Sequence, residues 1–196
     1  MYGMRSEAVT ALWLVRHARP QVKRGVCYGS LDLAADPDHT REAAQSLALQ
    51  LPRGVPVSSS PLQRCEQLMT VLCGLRPDLT FKTDPRLAEM GFGDWEGRRW
   101  DDIGRAALDA WTADFAQHRP GGGESVVQFM QRVGMAFDEA RAGGQPRIWI
   151  THAGVIRAAR LLASGVRVPA SADQWPADAV NFGACTSLTL QGLRPA

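Results

Sequence analysis

Long apolar runs are missing from this 196-residue chain. The longest, Ala11 to Val15, is far short of the ~20 residues a membrane-spanning helix requires, which argues against a spanning helix. An excess of one charge is missing too. The 22 basic residues stand against 20 acidic ones for a net charge of +2, and the basic residues are scattered. No dense tract can neutralise a polyanion backbone, so no nucleic-acid partner is expected. Lysine is nearly absent, being confined to Lys23 and Lys82, so arginine carries the positive charge. Cysteine is sparse: Cys27, Cys65, Cys73 and Cys185 form no C-x-x-C pair and no Cys/His cluster with zinc-site spacing. They read as buried reduced thiols, and neither a metal nor a cofactor is expected. Residues 1 to 10, MYGMRSEAVT, lack a basic stretch followed by an apolar segment of roughly 7–15 residues, the mark of a secretory signal. A cytoplasmic location is therefore expected, with residues 1–10 a flexible extension and Met4 an alternative start.

What is present is a composition of 45% apolar and 21% charged residues, that of a soluble globular chain with one sizeable core. A single domain over residues 1–196 is expected. Short apolar runs alternate with stretches of helical periodicity, which argues an α/β domain. Ala11 to Val15, Val55 to Ser59, Leu79 to Lys82 and Arg147 to Thr151 read as strands, and Ala184 to Leu190 as a last strand at a sheet edge. Ala43, Ala44, Leu47, Ala48 and Leu51 share a helical face, with Asp38 and Thr40 as capping candidates. Ser60-Pro61 reads as an N-cap followed by a first-turn proline, opening a helix to about Leu75. The spacing predicts further helices over Trp100 to Phe115, Val126 to Phe137 and Val155 to Ala163, and Arg86 to Gly97 reads as an extended segment running into a glycine-punctuated loop.

The chemistry collects at strand ends. The first strand ends in Arg16-His17, the second runs into Ser60-Pro61-Leu62-Gln63-Arg64, and Ile148 to Ile150 ends in Thr151-His152-Ala153-Gly154. In open parallel sheets ligands bind outside the carboxyl ends of the strands. Two histidines, two arginines and two helix N-termini would thus share one crevice, which suits a small dianion such as a phosphate monoester. A fourth segment, Glu89 to Gly97, adds acids in a turn.

These residues carry a resemblance. LWLVRHARP is similar to the strand-terminal Arg-His signature of the histidine phosphatase superfamily, the phosphoglycerate mutase-like enzymes. SPLQRCEQ resembles its second arginine motif, THAGVIRA its second histidine motif, and RLAEMGFGDWEG the segment carrying its acid, in matching order from Leu12 to about Leu190. Within that family GVCYGSLDL, FGDWEGRRWDDI and GGES followed by Arg132-Val133 look most like α-ribazole phosphatases. The resemblance implies a three-layer α/β/α sandwich around a mostly parallel sheet. It further implies that His17 is a nucleophile that becomes phosphorylated, that Arg16, Arg64 and His152 bind phosphoryl oxygens, and that Glu89 donates the proton. Tyr28 and Gly29 match positions lining the substrate side, Gly29 through its backbone, with packing the alternative role for Tyr28. Glu96 and Asp94 are rival candidates for the acid.

The chain departs from the pattern at Ala18-Arg19, where relatives carry Gly-Glu or Gly-Thr, and at Leu31, where α-ribazole phosphatases often carry threonine. Ala18 is tolerable if its φ is negative, and Arg19 bears on substrate choice. Trp95, Trp100 and Trp175 are candidates for an aromatic pocket, and core filling is the alternative. The expected activity is metal-independent hydrolysis of a small phosphomonoester through a phosphohistidine, with α-ribazole 5′-phosphate a candidate substrate. A broad-range phosphatase, a phosphoglycerate mutase and a non-catalytic phospho-ligand binder are the alternatives. Mutases of the family it resembles generally carry a longer segment between the acid and the second histidine, so the modest stretch between Glu89 and His152 implies hydrolysis.

Overall fold

The computed structural model describes residues 10–190. In chain order the regular elements are β1 (Thr10–Arg16), α1 (Pro37–Gln50), β2 (Val57–Ser59), α2 (Gln63–Leu75), β3 (Phe81–Thr83), α3 (Arg105–Ala113), α4 (Val126–Ala142), β4 (Arg147–Thr151), α5 (Ala153–Ala163) and β5 (Cys185–Leu190). The strands form one sheet in the order β3-β2-β4-β1-β5, parallel except for β5, which pairs antiparallel with β1 at the edge.

Successive side chains on a strand point to opposite faces, and this sheet is apolar on both. Leu12, Leu14 and Trp149 pack on one face against α4 and α5, contributing to a core with Phe129, Val133, Phe137, Ile156 and Leu162. Val15, Val57, Ile148 and Ile150 pack on the other against α1 and α2, meeting Ala44, Leu47, Leu68 and Leu72. The result is the expected three-layer α/β/α sandwich. A smaller cluster of Cys27, Trp95 and Ile103 gathers with Trp100, Leu108 and Trp111 beside α3.

Several boundaries differ from the sequence reading, each for a local reason. The proposed extension over residues 1–10 lies outside the described residues except Thr10, which already pairs with Leu190. Helix α1 is capped by Asp36, whose carboxylate accepts from the amides of Asp38 and His39, with Pro37 in the first turn. Ser60 does not cap α2. Leu62 is still extended, the helix starts at Gln63, and the Gln63 amide is capped from a distance by the Asp32 carboxylate at 2.7 Å. Gly104 interrupts the periodicity from Trp100 to Phe115, leaving a 3₁₀ turn over Trp100–Asp102 and a nine-residue α3. Arg86 to Gly97 is not extended but folds into 3₁₀ turns at Pro85–Leu87 and Gly93–Trp95, the first capped by Asp84. Cys27 and Cys65 are buried as expected, whereas Cys73 and Cys185 are half-buried, and all four thiols are free. Burial pushes the Cys27 thiol up to about 12. No helix among the described residues is long and apolar enough to cross a membrane.

Leu14 is fully buried in the central part of the sheet. Leu14→Ala is expected to lower the unfolding free energy by about 2–5 kcal/mol, read as a shift in the urea midpoint without a change in slope.

Candidate active site

Strands β2, β4 and β1 are adjacent and parallel, so their carboxyl ends lie side by side. This brings Arg16-His17, Ser60 and His152 to one edge, with α5 starting directly after His152. The backbone locks them together: the His17 amide donates to the Thr151 carbonyl and the Ser60 amide to the Ile150 carbonyl, both at 2.9 Å.

His17 and His152 are 1% and 0% exposed, with ring centroids 5.0 Å apart. His17 Nδ1–H donates to the Ala18 carbonyl at 2.6 Å. A carbonyl can only accept, so in the neutral ring Nε2 carries the lone pair. Burial first, then the charges of Arg64 and Arg16, hold the His17 pKa well below its ordinary value, with the Ala18 bond opposing them. His152 is lowered in the same way, first by burial and then by His17 and Arg64. Its Nε2 lies 2.7 Å from Ser60 Oγ, which itself accepts from the Leu62 amide. The serine hydroxyl hydrogen can then be given to Nε2, and in that tautomer Nδ1 of His152 carries the proton.

The two arginines are held by carbonyl oxygens. Arg64, fully buried at the start of α2, donates from Nη2 to Gly29 O at 2.6 Å and from Nη1 to Leu31 O at 2.8 Å. Arg16 donates from Nη1 to Val180 O, and its guanidinium lies 3.8 Å from the centroid of the Phe182 ring. Burial lowers the pKa of both groups and the Tyr28 and Glu89 side chains partly restore it, yet a guanidinium stays charged. Arg16 Nε, Arg64 Nε and His152 Nδ1 are buried without a hydrogen-bond partner in the protein. Buried donors are rarely left in that state.

The three candidate acids separate cleanly. Glu89 Oε2 accepts from the Gly154 amide at 3.0 Å, in the first turn of α5, and Oε1 from the Met90 amide at 3.1 Å. It lines a cavity of about 240 Å³ together with Tyr28, Met90, Gly154 and Arg157. Glu96 is occupied elsewhere, since its Oε1 accepts from the Ser30 amide and hydroxyl and the Phe92 amide. Asp94 is exposed in its turn. Gly154 is required by this geometry, because a Cβ there would lie 2.2 Å from Glu89 Oε1.

Tyr28 lies at the cavity wall with its ring 5.5 Å from the Arg64 guanidinium carbon. Burial raises its phenol pKa while Arg16 and Arg64 pull it down. The backbone of Gly29 does serve the site, but by anchoring Arg64, and a Cβ would strike the Met90 carbonyl at 1.9 Å. Ala18 is buried and carries no positive φ, while Arg19 is exposed at the rim of a neighbouring groove. Leu31 reaches the site through its carbonyl. Trp100 and Trp175 line the cavity, whereas Trp95 is buried in the cluster beside α3.

Four contributors escaped the sequence reading: Ser60 as the partner of His152, Phe182 under Arg16, Arg157 at the cavity, and Arg132. The Arg132 guanidinium donates to the carbonyls of Arg86, Ala88 and Glu89 at 2.8, 2.7 and 3.0 Å and pairs with the Glu124 carboxylate, fastening the segment that carries Glu89. Its place eight residues after Glu124 was visible; its carbonyl partners depend on the fold. Among the described residues no three His, Cys, Asp or Glu side chains cluster as metal ligands.

Residues 12–183 match the histidine phosphatase superfamily (branch 1). The chain belongs to that superfamily. It is a phosphatase of this class by that match and by its relatives. The chain is 31% identical over 182 residues to a glucosyl-3-phosphoglycerate phosphatase of Mycolicibacterium vanbaalenii, covering 86% of this chain and 78% of that one. It is 34% identical over 130 residues to the adenosylcobalamin/alpha-ribazole phosphatase of Escherichia coli, covering 62% of each. The native structure of a mycobacterial glucosyl-3-phosphoglycerate phosphatase superposes with a TM-score of 0.78 at 25% identity, covering 92% of this chain and 90% of that one. The solved relative thus shares the fold over nearly the whole chain.

Two outcomes follow from the geometry. Both buried imidazoles are neutral in the folded chain, whereas in the unfolded chain each titrates near 6.5. Below that pH the unfolded chain binds protons that the folded chain refuses. Stability is therefore expected to fall as pH drops below about 6.5, by up to about 1.4 kcal/mol per pH unit for each histidine, until the lowered folded values are reached. Denaturation series between about pH 5 and 7.5 measure the slope, and His152→Gln should flatten it. Gly154→Ala is expected to displace the Glu89 carboxylate, the mobile end of a side chain, and so to lower turnover while leaving the thermal midpoint intact. Paired activity and melting measurements check this.

Proposed function

We propose that the chain hydrolyses small phosphomonoesters without a metal, through a phosphohistidine on His17. The observation that carries this reading is a set of buried nitrogens without a protein partner, Arg16 Nε, Arg64 Nε and His152 Nδ1, on residues gathered at the strand ends with a neutral His17 whose Nδ1 is engaged by the Ala18 carbonyl. Fixed donors in a water-poor site stabilise charge developing on phosphoryl oxygens without reorganisation. Guanidinium groups suit those oxygens and keep their charge throughout.

In the first half-reaction Nε2 of His17 forms a bond to phosphorus as the ester P–O bond breaks, and Glu89 passes its proton to the departing oxygen. In the second, water attacks the phosphorus, Glu89 takes back a proton, and the N–P bond breaks to release inorganic phosphate. The amides of Gly154 and Met90 orient the Glu89 carboxyl for both steps.

For the substrate, α-ribazole 5′-phosphate is the reading we favour, supported by the likeness of the Escherichia coli relative and of the segments around Tyr28 and Trp95. Glucosyl-3-phosphoglycerate is the rival raised by the mycobacterial relative. A competition assay between these two, 3-phosphoglycerate and simple sugar phosphates ranks them.

The mechanism is tested with p-nitrophenyl phosphate in EDTA. Turnover and an acid-labile phosphoenzyme are expected in the parent, and both should vanish in His17→Ala. Glu89→Gln should cost about 10²–10⁴-fold on alkyl esters and much less on p-nitrophenyl phosphate, whose phenolate leaves without a proton. Tight phosphate binding with no turnover in the parent would instead mark a phospho-ligand binder.

A further inference from the structure

The cavity beside Glu89 is walled by six aromatic rings in an unbroken series. Phe92 meets Trp100 at 5.6 Å and Trp111 at 5.8 Å between centroids, Trp111 meets Phe115 at 5.8 Å, Phe115 meets Trp175 at 6.1 Å, and Trp175 meets Phe129 at 6.2 Å. They come from separate places: the turns after Glu89, α3 and the loop behind it, α4, and the turn following Ala172–Gln174. Phe129 is fully buried, but the other five remain partly exposed while lining a cavity of about 240 Å³. Core filling would have closed that space. Glu89, Tyr28, Gly154 and Arg157 line the same cavity.

We propose that this cavity is the leaving-group subsite and that it takes a planar aromatic group, so that the preferred substrates are phosphomonoesters of alcohols bearing an aromatic ring. The inference rests on the phosphohistidine reading above, because a proton donor at Glu89, which lines the cavity, sets the ester oxygen against it and the organic half of the substrate within it. Aromatic rings offset-stack or meet edge to face, and the six walls supply both orientations. A polyol leaving group would face those rings with hydroxyls on nearly every carbon and few partners for them.

The test compares kcat/KM for benzyl phosphate and ethyl phosphate, whose leaving alkoxides are alike in basicity and differ in the ring. Stacking of a ring on aromatic side chains predicts a preference for benzyl of about tenfold or more. Trp175→Leu should reduce that ratio toward one, and Trp100→Leu reads out the same ratio should the first variant fail to fold. A ratio near one in the parent, with both esters turned over and His17 phosphorylated, would overturn the subsite and leave the mechanism standing. A benzyl preference unmoved by either variant would overturn the aromatic wall as its source. Absence of both turnover and phosphoenzyme with either ester would contradict the phosphohistidine reading itself.

Discussion

The site depends on arginines that are tethered by carbonyl oxygens instead of carboxylates. Arg64 is held by Gly29 and Leu31 and Arg16 by Val180. Several other arginines pair with acids: Arg76 with Asp78, Arg86 with Asp84 and Arg167 with Asp138, each at 2.7 Å. A carboxylate partner cancels most of the charge it orients. A carbonyl orients the guanidinium and leaves its charge in place, and burial removes the water that would screen it. Positive charge is thereby kept at the carboxyl ends of the strands, which is what the proposed phosphoryl site needs.

The same charge decides the state of the histidines. Burial and the two guanidinium groups keep His17 neutral, and the Ala18 carbonyl fixes its tautomer, which under the proposed mechanism leaves the residue next to the cations able to attack. The acid is placed by different means. Glu89 sits on amides at the start of α5, and its own segment is fastened by Arg132 through three carbonyls. Arg16, His17 and His152 thus hang from adjacent parallel strands, Arg64 from the start of α2, and Glu89 from a turn held against the start of α5.

Much of this was legible in the sequence because it is local. The continuous apolar runs of β1 and β4 read as strands buried on both faces, and Arg16-His17 and Thr151-His152 stand where a parallel sheet places ligand-binding residues. Glu89, Arg64 and His152 were reached by motif and are brought together by the fold. What was illegible is what depends on distant partners. Asp32 caps α2 from 31 residues away, which no reading around Ser60-Pro61 reveals. Ser60, Phe182 and Arg132 serve the site through contacts across 92, 166 and 43 to 46 positions in the chain. Gly104 split an otherwise regular helical pattern, since spacing alone does not register the cost of glycine. The amide partners that occupy Glu96 come from Ser30 and Phe92, of which Ser30 is 66 positions away.

The most direct measurement of the central claim is a crystal structure of the chain with orthovanadate. The account predicts vanadium bonded to Nε2 of His17, with its oxygens within hydrogen-bonding distance of Arg16 Nε, Arg64 Nε and His152 Nδ1. Vanadate bound through His152, or seated away from either arginine, would contradict it.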